Sequence, residues 1–388
     1  MWLRRLELTD VRSYAHADIG LEPGVSVLVG ANAQGKTNLL EAVQRAATGS
    51  SHRVAGDQAL VRAGAELGVI RCEATTDEGR RRTIEIEIGG GRRRHRVDGQ
   101  DVRRVTDTLG VLRVVLFAPE DVGIVRGDPG ERRRFLDDVL GQRRPAFAAV
   151  RGEYGRVLRQ RNQLLKQARG LSGSARQSAT ATLQAWSEQL IEHGAQVTAA
   201  RIAAVRALAG PVDRFYRELA DRPEPVELTY RTTVGAPVVG SHGGGIPETG
   251  PLAQQLRDAL DQRADHELAR GMTLVGPHRD DLELSIGALP ARTHASHGEV
   301  WSLALALKLA SEEILGEVGD RPVVLLDDVF AELDVTRRQR LARACAGFDQ
   351  VLVTAAVEQD VPLAGIRLEV RIEDGVSSVR RRDDAGAA

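Results

Sequence analysis

The 388-residue sequence predicts an α/β fold interrupted by a mainly α-helical insertion, and three observations carry that expectation. A glycine-bounded loop, Gly30-Ala31-Asn32-Ala33-Gln34-Gly35-Lys36-Thr37, sits between an apolar run and an amphipathic segment. An apolar strand ending in two aspartates, Val323-Val-Leu-Leu-Asp327-Asp328, follows almost 300 residues later. Between the two, from about residue 145 to 270, the periodicity changes from the alternation of strands to the 3- and 4-residue steps of helices.

The first 30 residues read as strands: Leu3, Leu6 and Leu8, then Ile19 and Leu21, then Val25-Ser-Val-Leu-Val29, apolar on both faces as a doubly covered central strand requires. A helix follows over about 37–47. Short β segments are expected at 69–76, 82–88 and 92–97, with a turn at Gly89-Gly-Gly91, and a further apolar strand at 111–117. Phe147, Val150, Tyr154, Val157 and Leu164 mark a first arm helix, with Arg161 interrupting the stripe. After the Gly/Ser break at 170–174, Leu183, Trp186, Leu190, Val197, Ala204 and Leu208 mark a second, antiparallel one, with Trp186 assigned to packing. The Gly- and Pro-rich stretch 234–251 reads as mobile, and a helix spans about 251–270. The last third reads β over 272–287, helix 298–316, strand 322–327, helix 335–345, strand 350–354 and a hairpin at Asp374-Gly375, with a frayed charged tail.

Composition narrows the function classes. The charge is −1 overall, so a uniformly basic nucleic-acid coat is excluded and only local patches remain. Thirteen aromatic residues are too few for a base-stacking platform. No apolar run approaches a membrane span, the N-terminus has no signal-peptide pattern, and Cys72 and Cys345 cannot make a disulfide scaffold or a metal cluster; a soluble, cytoplasmic protein in a reducing compartment is expected. Arginine outnumbers lysine 50 to 3, which makes each surviving lysine, Lys36 above all, a position where arginine does not serve.

The loop fits G-x-x-x-x-G-K-[ST] without mismatch. Gly30 and Gly35 let successive backbone N–H groups close round a phosphate, the following helix adds its positive N-terminus, Lys36 supplies a compact charge and Thr37 a hydroxyl for Mg²⁺. The Val323–Asp328 strand places Asp327 where it can hold that cation, while Asp328 can orient or deprotonate an attacking water. Ser296-His-Gly298-Glu299 opens a helix whose first amides can meet an anion.

In this order, with Glu332-Leu333-Asp334 behind the second aspartate, the motifs resemble the ABC-type ATPase heads of the SMC and Rad50 class. More closely, the whole chain is similar to the RecF family of bacterial recombination mediators. The likeness is carried by Leu6-Glu-Leu8-Thr-Asp-Val-Arg12-Ser-Tyr14, Gly30–Asn38, Ser51-His52-Arg53, Phe117-Ala-Pro-Glu120-Asp121, Glu131–Asp137, Gly276-Pro-His278-Arg279-Asp-Asp281, Ser296-x-Gly298 and Leu326–Asp334.

The resemblance implies a head built from 1–144 and 271–388, with a β-rich lobe at about 66–118, and an arm from 145–270. It implies ATP and Mg²⁺ held by Gly30–Asn38, Arg12 and Asp327, with Asp328 and Lys36 catalytic and Glu120 in the Q-loop place. Ser296 and Gly298 would act in trans across an ATP-driven homodimer, with Asp334 in the D-loop. Partners would be duplex DNA at single-strand gaps, RecR and RecO, and indirectly RecA. Three positions depart from the pattern: Glu299 replaces the usual Gln, Asp328 is shorter than the usual Glu, which fits slow hydrolysis, and no switch histidine follows the last core strand, where Thr354 stands nearest.

Arg80–Arg82, Arg92–Arg94 with Arg96, Arg103-Arg104, Arg132–Arg134 and Arg143-Arg144 can meet DNA phosphates, although solvated faces explain any one of them. His278-Arg279-Asp280-Asp281 lacks metal-ligand spacing and reads as structural. A P-loop metabolic kinase and a non-hydrolysing SMC-like adaptor are the rival functions.

Overall fold

The computed structural model describes residues 1–54, 56–90, 94–240 and 245–382. Arg92 and Arg93 of one arginine cluster, Gly91 of the expected turn, part of the 234–251 stretch and the tail from 383 lie outside them. Two compact units result, one of 1–122, 215–223 and 301–388, the other of 123–214 and 224–300. These divisions fall about 20 residues earlier than the expected 144/145 boundary and about 30 later than the expected 270/271 boundary.

The first unit carries two sheets. Strands β1 (Trp2–Val11), β2 (Tyr14–Gly20) and β3 (Gly24–Val29) precede helix α1 (Lys36–Thr48); β4 (Leu67–Thr75), β5 (Arg81–Gly89), β6 (Arg94–Val97), β7 (Gln100–Val102) and β8 (Val114–Phe117) follow. The antiparallel sheet has the order β2-β1-β4-β5-β6-β7, so the β-rich lobe is continuous with the N-terminal strands.

Helices α2 (Val122–Arg126), α3 (Pro129–Arg143), α4 (Pro145–Ala168) and α5 (Gly173–Leu219) come next. Strands β9 (Val226–Arg231) and β10 (Val238–Val239), helix α6 (Thr249–Arg270), strands β11 (Asp281–Ile286) and β12 (Leu289–Pro290) and helix α7 (Ala291–His294) lead to α8 (His297–Gly316). Then come β13 (Val323–Leu326), α9 (Val335–Cys345), β14 (Gln350–Ala355), β15 (Ile366–Glu373) and β16 (Val376–Arg381). The second sheet of this unit, β16-β15-β3-β14-β13-β8, is parallel except for its β16 edge, which closes the hairpin expected at Asp374-Gly375.

Why both chain ends share this sheet is visible at Gln350. Its side chain is fully buried at the start of β14; Oε1 accepts from the Leu3 amide at 2.7 Å, and Nε2 donates to the carbonyls of Leu3 and Glu22 at 2.9 Å. An apolar side chain could fill that volume but would orphan backbone groups that have no water to turn to. Leu3, Leu6, Leu8, Ile70, Ile84 and Ile86 from the first sheet join Leu39, Val43, Leu116, Leu325 and Leu352 in one apolar core around α1.

The second unit contains the four-stranded sheet β10-β9-β11-β12 and the arm helices. At 24 residues α4 is about 36 Å long. Arg161 belongs to its buried face with Phe147, Tyr154, Val157, Leu165 and Ala168, rather than interrupting it. Its guanidinium is paired with the fully buried Glu267 at 2.6 Å and donates to Thr273 and Ser187, so a satisfied cation occupies an apolar-stripe position. Trp186 is half-buried beneath the Arg156 guanidinium, 5.8 Å from its ring centre. The β texture expected over 272–287 is confined to β11; residues 272–280 form turns, because Gly276 has a φ of +126° and Pro277 follows it. Among the described residues no helix is long and apolar enough to cross a membrane.

Replacing Gln350 by Leu is expected to cost about 2–4 kcal/mol in urea unfolding of the intact chain, against about 1 kcal/mol or less for an exposed glutamine such as Gln254.

Candidate nucleotide site

The loop 30–37 leaves the carboxyl end of β3 and enters α1 through Gly35, whose φ of +103° only glycine adopts without strain. Both glycines are also imposed by crowding. A Cβ on Gly30 would collide with the Val370 carbonyl of β15, and one on Gly35 would lie 2.7 Å from Ser377 Oγ and 2.8 Å from Ser13 Oγ. The loop is thus gripped from the C-terminal hairpin. Ser377 Oγ donates to the Gln34 carbonyl at 2.8 Å, Ile372 N–H donates to the Gln34 side chain, Tyr14 Oη donates to the Gly35 carbonyl at 3.1 Å, and Asn38 Nδ2 donates to Ser13 Oγ at 3.0 Å. No side chain caps α1, so its first amides are left for an anion.

Lys36 is buried and donates to the carbonyls of Gly30 and Ala31 at 2.7 and 2.9 Å. Burial lowers its pKa while Asp328 and Asp327 oppose the shift. Thr37 Oγ1 donates to Asp327 Oδ1 at 3.0 Å, joining residues 290 positions apart. β3 and β13 are not neighbours; β14 lies between them, and Thr354 on β14 makes the link. Its fully buried hydroxyl donates to Asp327 Oδ1 at 2.7 Å and accepts from the Asp328 amide at 2.8 Å. Burial raises the Asp327 carboxyl, and its hydrogen bonds come from the neutral hydroxyls of Thr354 and Thr37. A buried carboxylate beside a hydroxyl, with no cation in direct contact among the described residues, is a donor set that suits a hard divalent ion such as Mg²⁺. Asp328 adopts φ +50°, a strained conformation for a non-glycine residue.

A cavity of about 430 Å³ opens here, lined by Asn32, Ala33, Gly35, Lys36, Thr37, Asn38, Arg53 and Asp328. The structure therefore brings Lys36, Thr37, Asp327 and Asp328 together. Arg12 is turned to Glu41, which accepts from its Nε and Nη2 at 2.9 and 2.8 Å. Glu120 is exposed, and its charge falls near His52, as does that of Asp327. Arg53 lines the cavity although only the Ser51-His52-Arg53 likeness pointed toward it. Ser377 carries no motif, Ser13 stands only within the Leu6–Tyr14 likeness, and Thr354 only as the residue nearest the missing switch histidine.

The Ser296 segment is resolved by its capping. The Glu299 carboxylate accepts from the Ser296 amide at 2.8 Å while Ser296 Oγ accepts from the Glu299 amide at 3.3 Å, the reciprocal box that starts a helix. The carboxylate that departs from the family pattern is thus folded back onto the α8 N-terminus. Asp334 is exposed and caps α9, accepting from the Arg337 amide at 2.9 Å.

Several described members of the arginine clusters have carboxylate partners: Arg80 with Glu78, Arg82 with Asp98, Arg94 with Asp101, Arg96 with Glu85 and Asp101, Arg134 with Glu131. Arg132 is buried in a fork on Asp281 at 2.7 and 2.9 Å. That last contact belongs to the 276–281 motif, which is a packing device. Asp280 accepts from Tyr230 Oη and the Thr233 amide, and Asp137 takes a fork from the buried Arg201. His278 Nδ1 lies 2.6 Å from Tyr154 Oη, and burial pushes the imidazole down to about 4.

A neutral histidine held this way stabilises the fold at neutral pH. The unfolded chain binds a proton near pH 6.5 that the folded chain takes up only near 4. Stability is therefore expected to fall by roughly 3 kcal/mol as pH drops through that window. His278→Gln should flatten this part of the pH–stability curve measured by denaturant unfolding.

The chain matches the RecF/RecN/SMC N terminal domain over residues 2–378. It is similar to the recombination mediator protein RecF of the RecFOR pathway, solved as RecF-ATP, at 28% identity over 98% of both chains with a TM-score of 0.87. A RecF-ATPrS structure gives 28% identity, 97% and 98% coverage and a TM-score of 0.86. The head domain of an Smc protein with a coiled coil and joint, derived from Pyrococcus yayanosii, shares the fold at 15% identity, 98% and 97% coverage and a TM-score of 0.57. A metabolic kinase fold is excluded by these matches. With its phosphate loop, its paired aspartates and its split α/β head, the chain belongs to the RecF/RecN/SMC family and is RecF-like from end to end.

Proposed function

We propose that the protein is an ATP-dependent DNA-binding ATPase of recombinational repair and replication. Two protomers close on two ATP molecules and grip duplex DNA at single-strand gaps. With RecR and RecO they assist RecA loading, and slow hydrolysis of ATP to ADP and phosphate resets them. The observation that carries the reading is the meeting of Thr37 and Asp327 at 3.0 Å beside the Lys36 loop, on a chain that parallels RecF-ATP over its whole length.

In this reading the amides of Gly30–Thr37 and the Lys36 ammonium hold the β- and γ-phosphates, with Asn38, Arg12 and Arg53 alongside. Lys36 exchanges two carbonyl partners for phosphate oxygens, a cheap move for a buried ammonium already desolvated. Thr37 and Asp327 hold Mg²⁺, which when bound neutralises charge building on the phosphates. Asp328 orients the attacking water, and Glu120 approaches the same region from the strand β8 side. Ser296 and Gly298 offer the α8 N-terminus to the partner protomer's nucleotide, and Asp334 lies at the D-loop. Glu299 occupies the Ser296 amide in its capping box, so its carboxylate must release that amide before a phosphate takes its place.

DNA contact rests on arginines that pair with no carboxylate among the described residues, such as Arg81 and Arg103, both exposed. Affinity should fall by roughly 0.9 log unit per phosphate contact per log unit of salt.

ATP should drive the chain from monomer to dimer in sedimentation and raise its affinity for gapped duplex, with both effects lost in Lys36→Arg and dimerisation lost in Ser296→Arg. A monomer with and without ATP, or salt-independent DNA binding, would overturn the reading. Thr354→Val, which keeps the shape and removes the hydroxyl, should lower kcat about ten-fold or more with little change in KM for ATP, and Thr354→Ser should restore it.

A further inference from the structure

Glu41 sits in the second turn of α1 with no exposure at all, among the apolar residues of the first unit's core. A lone carboxylate there would be prohibitively costly. Its partners explain why it is tolerated. Arg12 forks onto both oxygens at 2.9 and 2.8 Å, Ser51 Oγ donates to Oε1, and Arg53 Nη1 stands 3.8 Å from Oε2. Burial works against the ionised form, but the hydrogen bonds from Arg12 and Ser51 win and hold the carboxyl below its ordinary range.

Two features give this cluster a purpose beyond packing. Ser51 Oγ also accepts from the amides of Arg53 and Val54 at 3.0 and 3.1 Å, so the carboxylate anchors the turn that carries Arg53. One negative charge is also set against two guanidiniums. Arg12 satisfies Glu41 fully, and Arg53, 41% exposed, turns its Nη1 to Asn38 Oδ1 at 3.1 Å while lining the cavity. The surplus positive charge is therefore delivered to the cavity on a side chain whose backbone is pinned and whose head is lightly held.

We propose that Glu41 is a positioning residue for nucleotide: it presets Arg53 against the cavity through the Ser51 turn and through its charge, so that Arg53 can exchange Asn38 for a phosphate oxygen. The proposal rests on the nucleotide reading above. Glu41 never touches the phosphates; it reduces the ordering that Arg53 would otherwise undergo on binding.

The test is a double-mutant cycle on MgATP affinity, measured by calorimetry on the full chain. Glu41→Gln and Arg53→Gln are each expected to weaken binding about ten-fold. The double variant should be hardly weaker than Arg53→Gln alone, since a residue acting through Arg53 has nothing left to position. Losses that multiply, or a Glu41→Gln protein with wild-type affinity, would overturn the proposal. Should Glu41→Gln fail to fold, Ser51→Ala replaces it in the cycle, with the same non-additivity expected and the same additivity fatal. Wild-type protein that binds no MgATP would instead sink the nucleotide reading, a result distinguishable from failure of the cycle.

Discussion

Strand β3 lies between β14 and β15, and the rest of the first unit depends on that pairing. The strand delivers the phosphate loop, yet both of its neighbours come from the last 40 residues of the chain. The loop is consequently shaped by residues that are remote in sequence: Val370 and Ser377 leave no room for a side chain at Gly30 or Gly35, and Ser377 and Ile372 hold Gln34. A chain that must close this sheet before its loop exists has to bring its ends together across the whole insertion. The buried Gln350, bonded to Leu3 and Glu22, stabilises that closure by satisfying backbone groups that no apolar residue could.

Buried charge is the second theme, and it is handled by ion pairs or by hydrogen bonds to neutral groups. Helix α1 buries Lys36, Glu41 and Arg45, which meet loop carbonyls, Arg12 with Ser51, and Asp57 respectively. The second unit buries Arg161 against Glu267 and Arg201 against Asp137. Desolvation makes such groups intolerant of losing one partner, which gives the clusters a defined geometry rather than a large net contribution to stability. Around the cavity the same economy leaves Lys36 and Arg53 poised on weakly competing oxygens, ready for a stronger anion.

Much of this was legible in the amino-acid order. The loop's glycines, the apolar run before it and the apolar strand ending in Asp327-Asp328 mark their elements by pattern, and the helix 335–345 coincides with α9. Arg161 misled, because periodicity ranks residues by polarity and cannot see Glu267 waiting 106 positions away. The 272–280 segment misled for the opposite reason: its apolar residues suggested a strand, while Gly276 and Pro277 turn the backbone. Glu299 looked like a charge aimed at an anion, and only its local capping geometry shows the carboxylate bent back onto Ser296.

By itself the sequence determined which chemistry is on offer: a phosphate loop with one retained lysine, a hydroxyl and two carboxylates, and a family resemblance that spans the chain. Those are properties of local spacing, where residue type and backbone conformation suffice. Tertiary structure alone decided which groups meet. It placed β14 between the two motif strands, so that Thr354 ties Asp327 to Asp328; it turned Arg12 onto Glu41 and set Arg53 beside the cavity. Such meetings depend on strand order and on the burial of charge, and both are settled only when the two ends of the chain close around β3.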